Sequence, residues 1–265
     1  MKTTNQLLSG VILGIISIMI SSGVSAKIVS ETIEYKDGDV PLKGEIYYDD
    51  AIEGKRPGVL VVHEWWGLND YARKRAEMLA AMGYVAFAAD MYGDNKVTTH
   101  AKDAKGWMQQ ITSNVGAWQN RANLGLEVLK NHKLTDNDKT AAIGYCFGGA
   151  TVMQMAYAGS DVNGVVSFHG SLPPASESQA KSVKTRIMVA HGNADPFVPA
   201  EKVSAFRSAL DNAGVGYEFN GYDGAKHGFT NPGAAEYGMD ALAYNEEADQ
   251  GSWQAMQDFF AEIFK

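Results

Sequence analysis

Cysteine is nearly absent from this chain, because Cys146 is the only one among 265 residues. A lone cysteine cannot form an internal disulfide, and it has no partner for a C-x-x-C redox site. Positive charge is also scarce: 23 lysines and arginines against 31 aspartates and glutamates leave a formal net charge of −8. Nucleic-acid binding needs a basic surface, so we expect no nucleic-acid partner. No group of His, Asp and Glu has the spacing of metal ligands, so we expect no metal and no other cofactor.

The chain also lacks an apolar run of membrane-spanning length. Residues 7–20 are nearly all apolar, but this stretch is shorter than the roughly 20 residues that a transmembrane helix needs. Lys2 precedes the stretch, and the small residues 24–26, VSA, follow it. The pattern predicts a signal peptide at residues 1–26, cleaved near Ala26, and a mature chain that is periplasmic or secreted and not stably inserted in a membrane. An uncleaved anchor helix is the alternative.

Beyond residue 57 the sequence alternates between strand-like and helix-like segments. Strands are predicted at residues 28–35, 40–48, 57–63, 84–90, 140–143, 162–168, 185–191 and 215–222. Helices are predicted at about residues 70–82, twice within 96–132, at 148–158, from 199, and at 239–264. This alternation predicts an α/β domain with a mostly parallel sheet and helices on both faces. No linker-like segment divides the chain, so we expect one domain over residues 27–265.

The one cysteine lies in residues 144–149, GYCFGG, between a β-prone run and a helix-prone run of small residues. This is the pattern of the nucleophile elbow G-x-S-x-G, with Cys in place of Ser. The flanking glycines allow a sharp turn and a helix that starts close to the strand. The thiol of Cys146 is then presented at the carboxyl end of the sheet, facing the positive end of the helix dipole. A buried small hydrophobe is the alternative interpretation of a lone cysteine.

An acid and a histidine follow this elbow in the order that the hydrolase fold requires. Asp195 comes after the strand predicted at residues 185–191, and His227 comes after the one predicted at 215–222. Both lie in loops where carboxyl ends of parallel strands meet. Taken singly, Asp195 could be a turn residue before Pro196, and His227 a loop histidine without a role. Together with Cys146 they predict a Cys-His-Asp catalytic triad.

These residue types suit nucleophilic attack on a carbonyl carbon. A free thiol is mostly protonated at neutral pH, so an imidazole must take or share its proton. His227 is the predicted base, and Asp195 is predicted to fix the tautomer of the imidazole. The tetrahedral intermediate needs two N–H donors. We expect one from the backbone of Phe147, which follows the nucleophile, and one from the loop at residues 63–68.

Five segments of the chain resemble the dienelactone hydrolase (carboxymethylenebutenolidase-like) family of α/β-hydrolases, and they occur in family order. They are HEWWGL at 63–68, DMYG at 90–93, GYCFGG at 144–149, GNADPFVP at 192–199 and HGF at 227–229. The resemblance covers about residues 30–264. It implies the α/β-hydrolase fold, with a twisted, mostly parallel sheet of about seven to eight strands, and the triad Cys146, Asp195 and His227. It also implies that the backbone N–H of Trp65 is the second oxyanion donor.

The resemblance also bears on two neighbours in the first of these segments. In the family, the glutamate that matches Glu64 contacts the nucleophilic thiol and helps to activate it when substrate binds. From the residues alone, Glu64 could equally be a solvated loop carboxylate. His63 is predicted to have a structural role, packing beneath the loop.

The sequence departs from the family at two positions that concern the substrate. The enzymes that open dienelactone hold its carboxylate with two arginines, and this chain has Asp94 and Asn231 at the matching positions. Without those cations we expect a neutral substrate rather than the anionic dienelactone. The predicted pocket residues are therefore Asp94, Asn231 and the aromatic residues Trp65, Trp66, Tyr92 and Phe229, and core packing is the alternative for the aromatic ones.

The sequence therefore predicts an exported, cofactor-independent thiol hydrolase. We expect it to cleave a small ester, lactone or thioester through an acyl-cysteine intermediate. A peptidase or amidase with the same triad is the alternative within enzymes, and a non-catalytic binding protein on the same scaffold is the alternative outside them. The natural substrate and the oligomeric state do not follow from the sequence.

Overall fold

The computed structural model describes residues 27–265, so the predicted signal peptide lies outside the described residues. Eight strands form one sheet, and all eight coincide with segments of strand-like sequence. They are β1 (Ile28–Asp37), β2 (Val40–Asp49), β3 (Arg56–Val62), β4 (Val85–Ala89), β5 (Thr135–Tyr145), β6 (Gly164–Phe168), β7 (Arg186–Gly192) and β8 (Tyr217–Tyr222).

Seven α-helices connect or follow these strands. They are α1 (Asp70–Ala81), α2 (Ala101–Thr112), α3 (Val115–Asn131), α4 (Phe147–Tyr157), α5 (Glu177–Ser182), α6 (Ala200–Asp211) and α7 (Glu246–Ile263). A short 3-10 turn, Ala234–Tyr237, lies between β8 and α7. Within residues 27–265, no helix is both long and apolar enough to cross a bilayer.

The strand order in the sheet is β1-β2-β4-β3-β5-β6-β7-β8. The hairpin β1–β2 pairs antiparallel, and β2 joins β4 antiparallel. Every other pairing, from β4 through β3 and β5 to β8, is parallel. Because β3, β5, β7 and β8 all point the same way, the loops after them meet at one edge of the sheet, where ligands bind in open α/β folds.

Apolar cores on both faces of the sheet hold the helices in place. On one face, buried residues such as Leu79 of α1 and Phe260 of α7 pack against β-strand residues such as Val61. On the other face, α3, α4 and α6 contribute residues such as Leu126 and Val152. Burial of both faces explains why the central strands are apolar throughout rather than alternating. The predicted mostly parallel α/β-hydrolase fold is therefore confirmed.

The prediction was wrong in detail at the C-terminal helix, which was expected from residue 239. The helix begins at Glu246, because the side chain of Asn245 accepts a hydrogen bond from the backbone N–H of Ala248 and caps it. The preceding residues pack as a loop, in which Leu242 forms an isolated bridge with His227. The six-residue helix α5 and the 3-10 turn were not predicted, because such short elements carry little periodicity.

Candidate active site

Cys146 lies at the junction of β5 and α4, where the chain turns sharply. Its backbone has φ 55° and ψ −110°, outside the regions that most residues other than glycine adopt. The turn requires close backbone contact, because a Cβ on Gly144 would overlap the carbonyl of Gly148, and one on Gly148 would overlap that of Val62. Such strain persists only where the surrounding structure enforces it, and it is common at functional sites. Cys146 is a free, partly exposed cysteine.

His227 and Asp195 form a hydrogen-bonded pair, and His227 lines the same cavity as Cys146. His227 Nδ1 lies 2.7 Å from Asp195 Oδ2, and both residues are buried. Burial by itself disfavours a charged imidazole, but the nearby Cys146 and the hydrogen-bonded Asp195 outweigh it and raise the pKa of His227 to about 10. The raised pKa favours the protonated, imidazolium form of His227. A second Asp195 oxygen accepts the backbone N–H of Phe197, which fixes the carboxylate.

The two predicted oxyanion donors flank the cysteine. Phe147 is the first residue of α4, so its backbone N–H has no partner within the helix. Within residues 27–265, the N–H groups of Phe147 and Trp65 donate to no protein acceptor. His63 supports the Trp65 loop as expected: its Nδ1 lies 2.5 Å from Glu64 O, and its Nε2 accepts the N–H of Met91. Free N–H groups at this edge can bind a developing oxyanion.

Glu64 is buried, and its carboxylate accepts a hydrogen bond from a side-chain amide. Asn231 Nδ2 donates to Glu64 Oε2 at 2.8 Å, and Asn231 Oδ1 in turn accepts the backbone N–H of Gly233. Burial raises the pKa of Glu64 to about 7, even though Asn231, His227 and Arg75 favour its ionised form. The carboxyl is thus half protonated near neutral pH. It is not the solvated loop carboxylate that the sequence left as the alternative.

A second histidine beside the nucleophile was not predicted. His169 follows β6, has φ 39° and is fully buried. Its Nδ1 accepts the backbone N–H of Cys146 at 3.1 Å, and its Nε2 lies 2.7 Å from the hydroxyl of Thr230. Burial holds the pKa of His169 well below its ordinary value, which keeps the ring neutral. The sequence feature that could have identified His169 is its position directly after a predicted parallel strand, at the edge where the other site loops meet.

An apolar cavity of about 550 Å³ opens beside Cys146 and His227. Trp65 and Phe147, whose backbone N–H groups are the predicted oxyanion donors, line one part of it. Its other lining residues come from α2, α3, α4 and the loops after β6, β7 and β8: Lys105, Met108, Thr112, Trp118, Ala150, Ser171, Pro173, Phe197, Met239 and Leu242. Lys105 is the one lysine or arginine in this lining. The cavity size suits a small, largely uncharged ligand.

Of the residues predicted for the substrate pocket, Trp65 lines this cavity and the other five do not, each for a physical reason. Trp66 is 1% exposed and stacks on Tyr237 with ring centroids 3.9 Å apart, so only its neighbour Trp65 reaches the cavity. Phe229 is fully buried in the core, where its ring packs edge-on against the ring of His169. Asn231 is directed at Glu64.

The remaining two predicted pocket residues lie on the loop after β4. Tyr92 is 5% exposed, packs on Phe147, and donates its hydroxyl to Trp65 O at 3.1 Å. It supports the oxyanion loop from behind. Asp94 is exposed, with φ 53°, in a turn whose N–H donates to Pro41 O. Asp94 does not line the cavity. The presence of an aspartate at this position, where the resemblance places an arginine, therefore does not indicate which charge the cavity favours.

Within residues 27–265, no group of three or more His, Cys, Asp or Glu side chains could hold a metal ion. The titratable groups described around the cysteine are His227, Asp195, Glu64 and His169. The arrangement combines a thiol, a charged imidazole, free N–H donors and an apolar cavity. Such a set is suited to acyl transfer.

The chain is similar to several known proteins. A solved structure of a dienelactone hydrolase-like promiscuous phosphotriesterase from metagenomic libraries is 36% identical, with a TM-score of 0.87 over 90% of this chain and 99% of that one. Protein usf of Aquifex pyrophilus is 26% identical over 88% of this chain and 99% of its own length. Acylaminoacyl peptidase of Pyrococcus horikoshii, 16% identical with a TM-score of 0.69, covers 90% of this chain but 42% of its own and shows the fold alone.

The comparison with family models covers most of the described chain. The model described as the dienelactone hydrolase family matches residues 43–264, which include every loop of the candidate site. The chain therefore belongs to the dienelactone hydrolase family and is a carboxylic ester hydrolase.

Proposed function

We propose that this protein cleaves small, neutral esters, lactones or thioesters through a covalent acyl-cysteine intermediate on Cys146. The observation that carries the proposal is the convergence of three groups at one cavity. The thiol of Cys146 lies on a strained elbow, His227 is bonded to Asp195, and the unpaired N–H groups of Phe147 and Trp65 flank the thiol.

In the first half of the proposed reaction, the Cys146 thiolate attacks the carbonyl carbon while His227 holds the proton. The carbonyl oxygen becomes an oxyanion and accepts hydrogen bonds from Phe147 and Trp65. When the tetrahedral intermediate collapses, the bond to the leaving alcohol or thiol breaks, and His227 donates its proton to that group. A thioester to Cys146 and a neutral His227 remain, and Asp195 stabilises the imidazolium until it gives up that proton.

In the second half, water enters and His227 accepts one of its protons. The resulting hydroxide adds to the thioester carbonyl, and the same two N–H groups stabilise the second oxyanion. Collapse expels the Cys146 thiolate and releases a carboxylic acid. The imidazolium and thiolate are restored, so the cycle consumes one water and needs no cofactor.

Glu64 is proposed to assist the proton movements near the thiol. Its pKa of about 7 allows it to exchange a proton at neutral pH. In the structure its carboxylate is bonded to Asn231 rather than to Cys146. Activation of the thiol by Glu64 therefore requires the side chain to leave Asn231 when substrate binds.

The apolar lining of the cavity supports a neutral substrate. A substrate carboxylate would lose its hydration there, and desolvating an unpaired charge is costly. Lys105 is the one lysine or arginine in the lining, and its position on α2 is exposed to solvent. We therefore expect neutral esters to have a higher kcat/KM than the anionic dienelactone.

Neutral phosphotriesters are a second candidate class. The specific observation is the 36% identical structure, which is described as a promiscuous phosphotriesterase. A phosphotriester is also uncharged and also passes through a state in which oxygen gains negative charge. The same thiol and N–H groups could serve that reaction through a phosphoryl-cysteine. Peptides are the third class to test, because the triad suits amides as well.

The deciding experiment uses purified protein and a panel of neutral aryl esters, alkyl thioesters, a lactone, a dienelactone carboxylate, a phosphotriester and a peptide amide. We expect hydrolysis of the neutral esters, and Cys146→Ala should lower kcat/KM on the order of 10³-fold or more. Mass spectrometry of protein quenched with substrate should find one acyl adduct, and Cys146 is the only thiol that can carry it.

A matched control separates chemistry from folding. Thr112→Ala changes a cavity residue on α2 that has no assigned chemical role, and it should retain an ester rate within a few fold of the wild type. Thermal unfolding should be similar in all three proteins. Full ester activity in Cys146→Ala would overturn the mechanism, and activity confined to peptides would replace ester with amide hydrolysis.

A further inference from the structure

A second cavity lies behind the wall of the active-site cavity. It has a volume of about 290 Å³ and is lined by Tyr92, Trp107, Gln110, Ile111, Arg121 and neighbours. One side chain, Trp118, lines both this cavity and the one beside Cys146. The indole of Trp118 is therefore a shared wall between the two spaces, and the mechanism above gives it no function.

Trp118 is fixed to the nucleophile elbow rather than free to swing. Its Nε1–H donates to the hydroxyl of Thr151 at 2.9 Å, and that hydroxyl donates to Phe147 O at 2.9 Å. The indole also stacks on the Phe147 ring, with centroids 5.8 Å apart and planes 11° apart. A side chain held by a hydrogen bond and a stacked ring forms a rigid end to the cavity.

The geometry of the reaction decides which half of the substrate meets this wall. The leaving group must lie on the side of His227, where Phe197 and Leu242 flank the imidazole. The carbonyl oxygen must point at the N–H of Phe147. The wall formed by Phe147 and Ala150 of α4 and by Trp118, which stacks on Phe147, is then available to the acyl chain.

We propose that Trp118 is the specificity-determining residue that limits the length of the acyl chain, and that removing its indole joins the second cavity to the acyl site. The inference rests on the proposed function and names its substrate class: short, uncharged acyl groups with no strict limit on the alcohol. The second cavity would extend the acyl site beneath α2, where Trp107 and Ile111 supply apolar surface and Gln110 and Arg121 supply polar groups.

The test compares p-nitrophenyl acetate, butyrate and octanoate on the wild type, Trp118→Phe and Trp118→Ala. We expect the octanoate-to-acetate ratio of kcat/KM to rise at least about 10-fold in Trp118→Ala, equivalent to about 1.4 kcal/mol, with a smaller rise in Trp118→Phe. Leu242→Ala is the matched control, since it enlarges the leaving-group side. It should alter the preference among alcohols while leaving the acyl-length ratio unchanged.

A second readout does not require ester turnover. Alkyl methanethiosulfonates with ethyl to octyl chains react with the Cys146 thiolate, which forms a mixed disulfide and expels methanesulfinate. The alkyl chain then occupies the place of the acyl chain. If no ester is hydrolysed but octyl labelling accelerates relative to ethyl in Trp118→Ala, the proposed function fails and the role of Trp118 stands.

An unchanged chain-length ratio in folded Trp118→Ala, with both kinds of probe, overturns the inference. Thermal unfolding establishes which variants are folded. Should Trp118→Ala not fold, Trp118→Phe and Trp118→Leu carry the same comparison, and an unchanged ratio in both is equally decisive.

Discussion

At the scale of single residues, Glu64 is a carboxyl group in an environment that differs strongly from water. It is buried beside the triad, receives one hydrogen bond from Asn231, and has its pKa raised by burial from 4.5 to about 7. Its charge therefore changes across the pH range in which the enzyme works. Both the stability and the activity of the protein should depend on this group.

Glu64→Gln should reveal that dependence. Between pH 4.5 and pH 7 the folded protein binds a proton that the unfolded chain has lost, so wild-type stability falls as pH rises through this range. Glutamine cannot ionise. Relative to Glu64→Gln, the wild type should therefore lose about 2–3 kcal/mol of unfolding free energy between about pH 5 and pH 8, at roughly 1.36 kcal/mol per pH unit. Urea unfolding at the two pH values measures it.

The control for this prediction is Glu53→Gln, at an exposed loop position before β3. It should leave the pH dependence of stability unchanged. Parallel curves for the wild type and Glu64→Gln would mean that Glu64 is already ionised at the lower pH, and the description of its burial would be wrong.

Residue identity was predictable from the sequence, but side-chain direction was not. Trp65 and Trp66 are adjacent and chemically identical, yet the first lines the cavity and the second stacks on Tyr237. Asn231 was predicted to face the pocket, but its amide binds Glu64 and it does not line the cavity. Such directions depend on contacts with distant segments, and no local pattern encodes them.

At the scale of elements, the turn from β5 to α4 depends on backbone contact that only glycine permits. Gly148→Ala would place a methyl group on the backbone carbonyls of Val62, the last residue of β3, and of His63, which follows it. We expect it to cost about 2–3 kcal/mol of stability and to lower activity, because the same overlap displaces Cys146. Chemical denaturation and ester kinetics measure the two effects.

Gly106 offers the matched control for this change. It lies in the middle of α2, and a Cβ there would meet nothing within 4 Å. Gly106→Ala should therefore stabilise the protein, by up to about 1 kcal/mol, because alanine has the higher helix propensity. If the two substitutions had equal effects, close packing at the elbow would not explain its glycines.

The strands and the order of the site loops followed from sequence because both rest on short-range patterns. Apolar runs such as β3 are buried on both faces, and the elbow motif fixes its own turn. The walls of the cavity could not be predicted in the same way. They combine α2, α3 and the loop before α7, which are far apart in the chain. Met108 and Leu242 meet only in the folded molecule.

At the scale of the whole molecule, export is a prediction about the chain before and after residue 26. We propose that the protein is cleaved after Ala26 and works in the periplasm or outside the cell. Mass spectrometry of protein recovered from its native compartment should find Lys27 at the N-terminus. Replacing the apolar residues Ile12 and Leu13 with Asp should retain the protein in the cytoplasm at full length. Met1 on a membrane-bound mature protein would favour the anchor instead.

In addition to its apolar contacts with the core, the C-terminal helix α7 is joined to α1 by a buried ion pair. Arg75 of α1 lies 2.5 Å from Asp249 of α7, with side chains 5% and 13% exposed, and Arg75 also donates to Thr230 O in the His227 loop. Its guanidinium lies over the rings of Tyr71 and Trp253 as well. Arg75 thus connects α1, α7 and the loop that carries the catalytic histidine.

Asp249→Asn should be strongly destabilising because it leaves Arg75 buried without its counter-ion, at a cost of about 3–5 kcal/mol. Glu262→Gln provides the same chemical change on the same helix, but its pair with Arg186 is about half exposed and contributes at most about 1 kcal/mol. Urea unfolding at neutral pH compares the two. Equal costs would mean that Arg75 remains solvated in solution. A larger cost at Asp249, together with a lowered kcat at temperatures where the variant stays folded, would establish that α7 supports the His227 loop through Arg75.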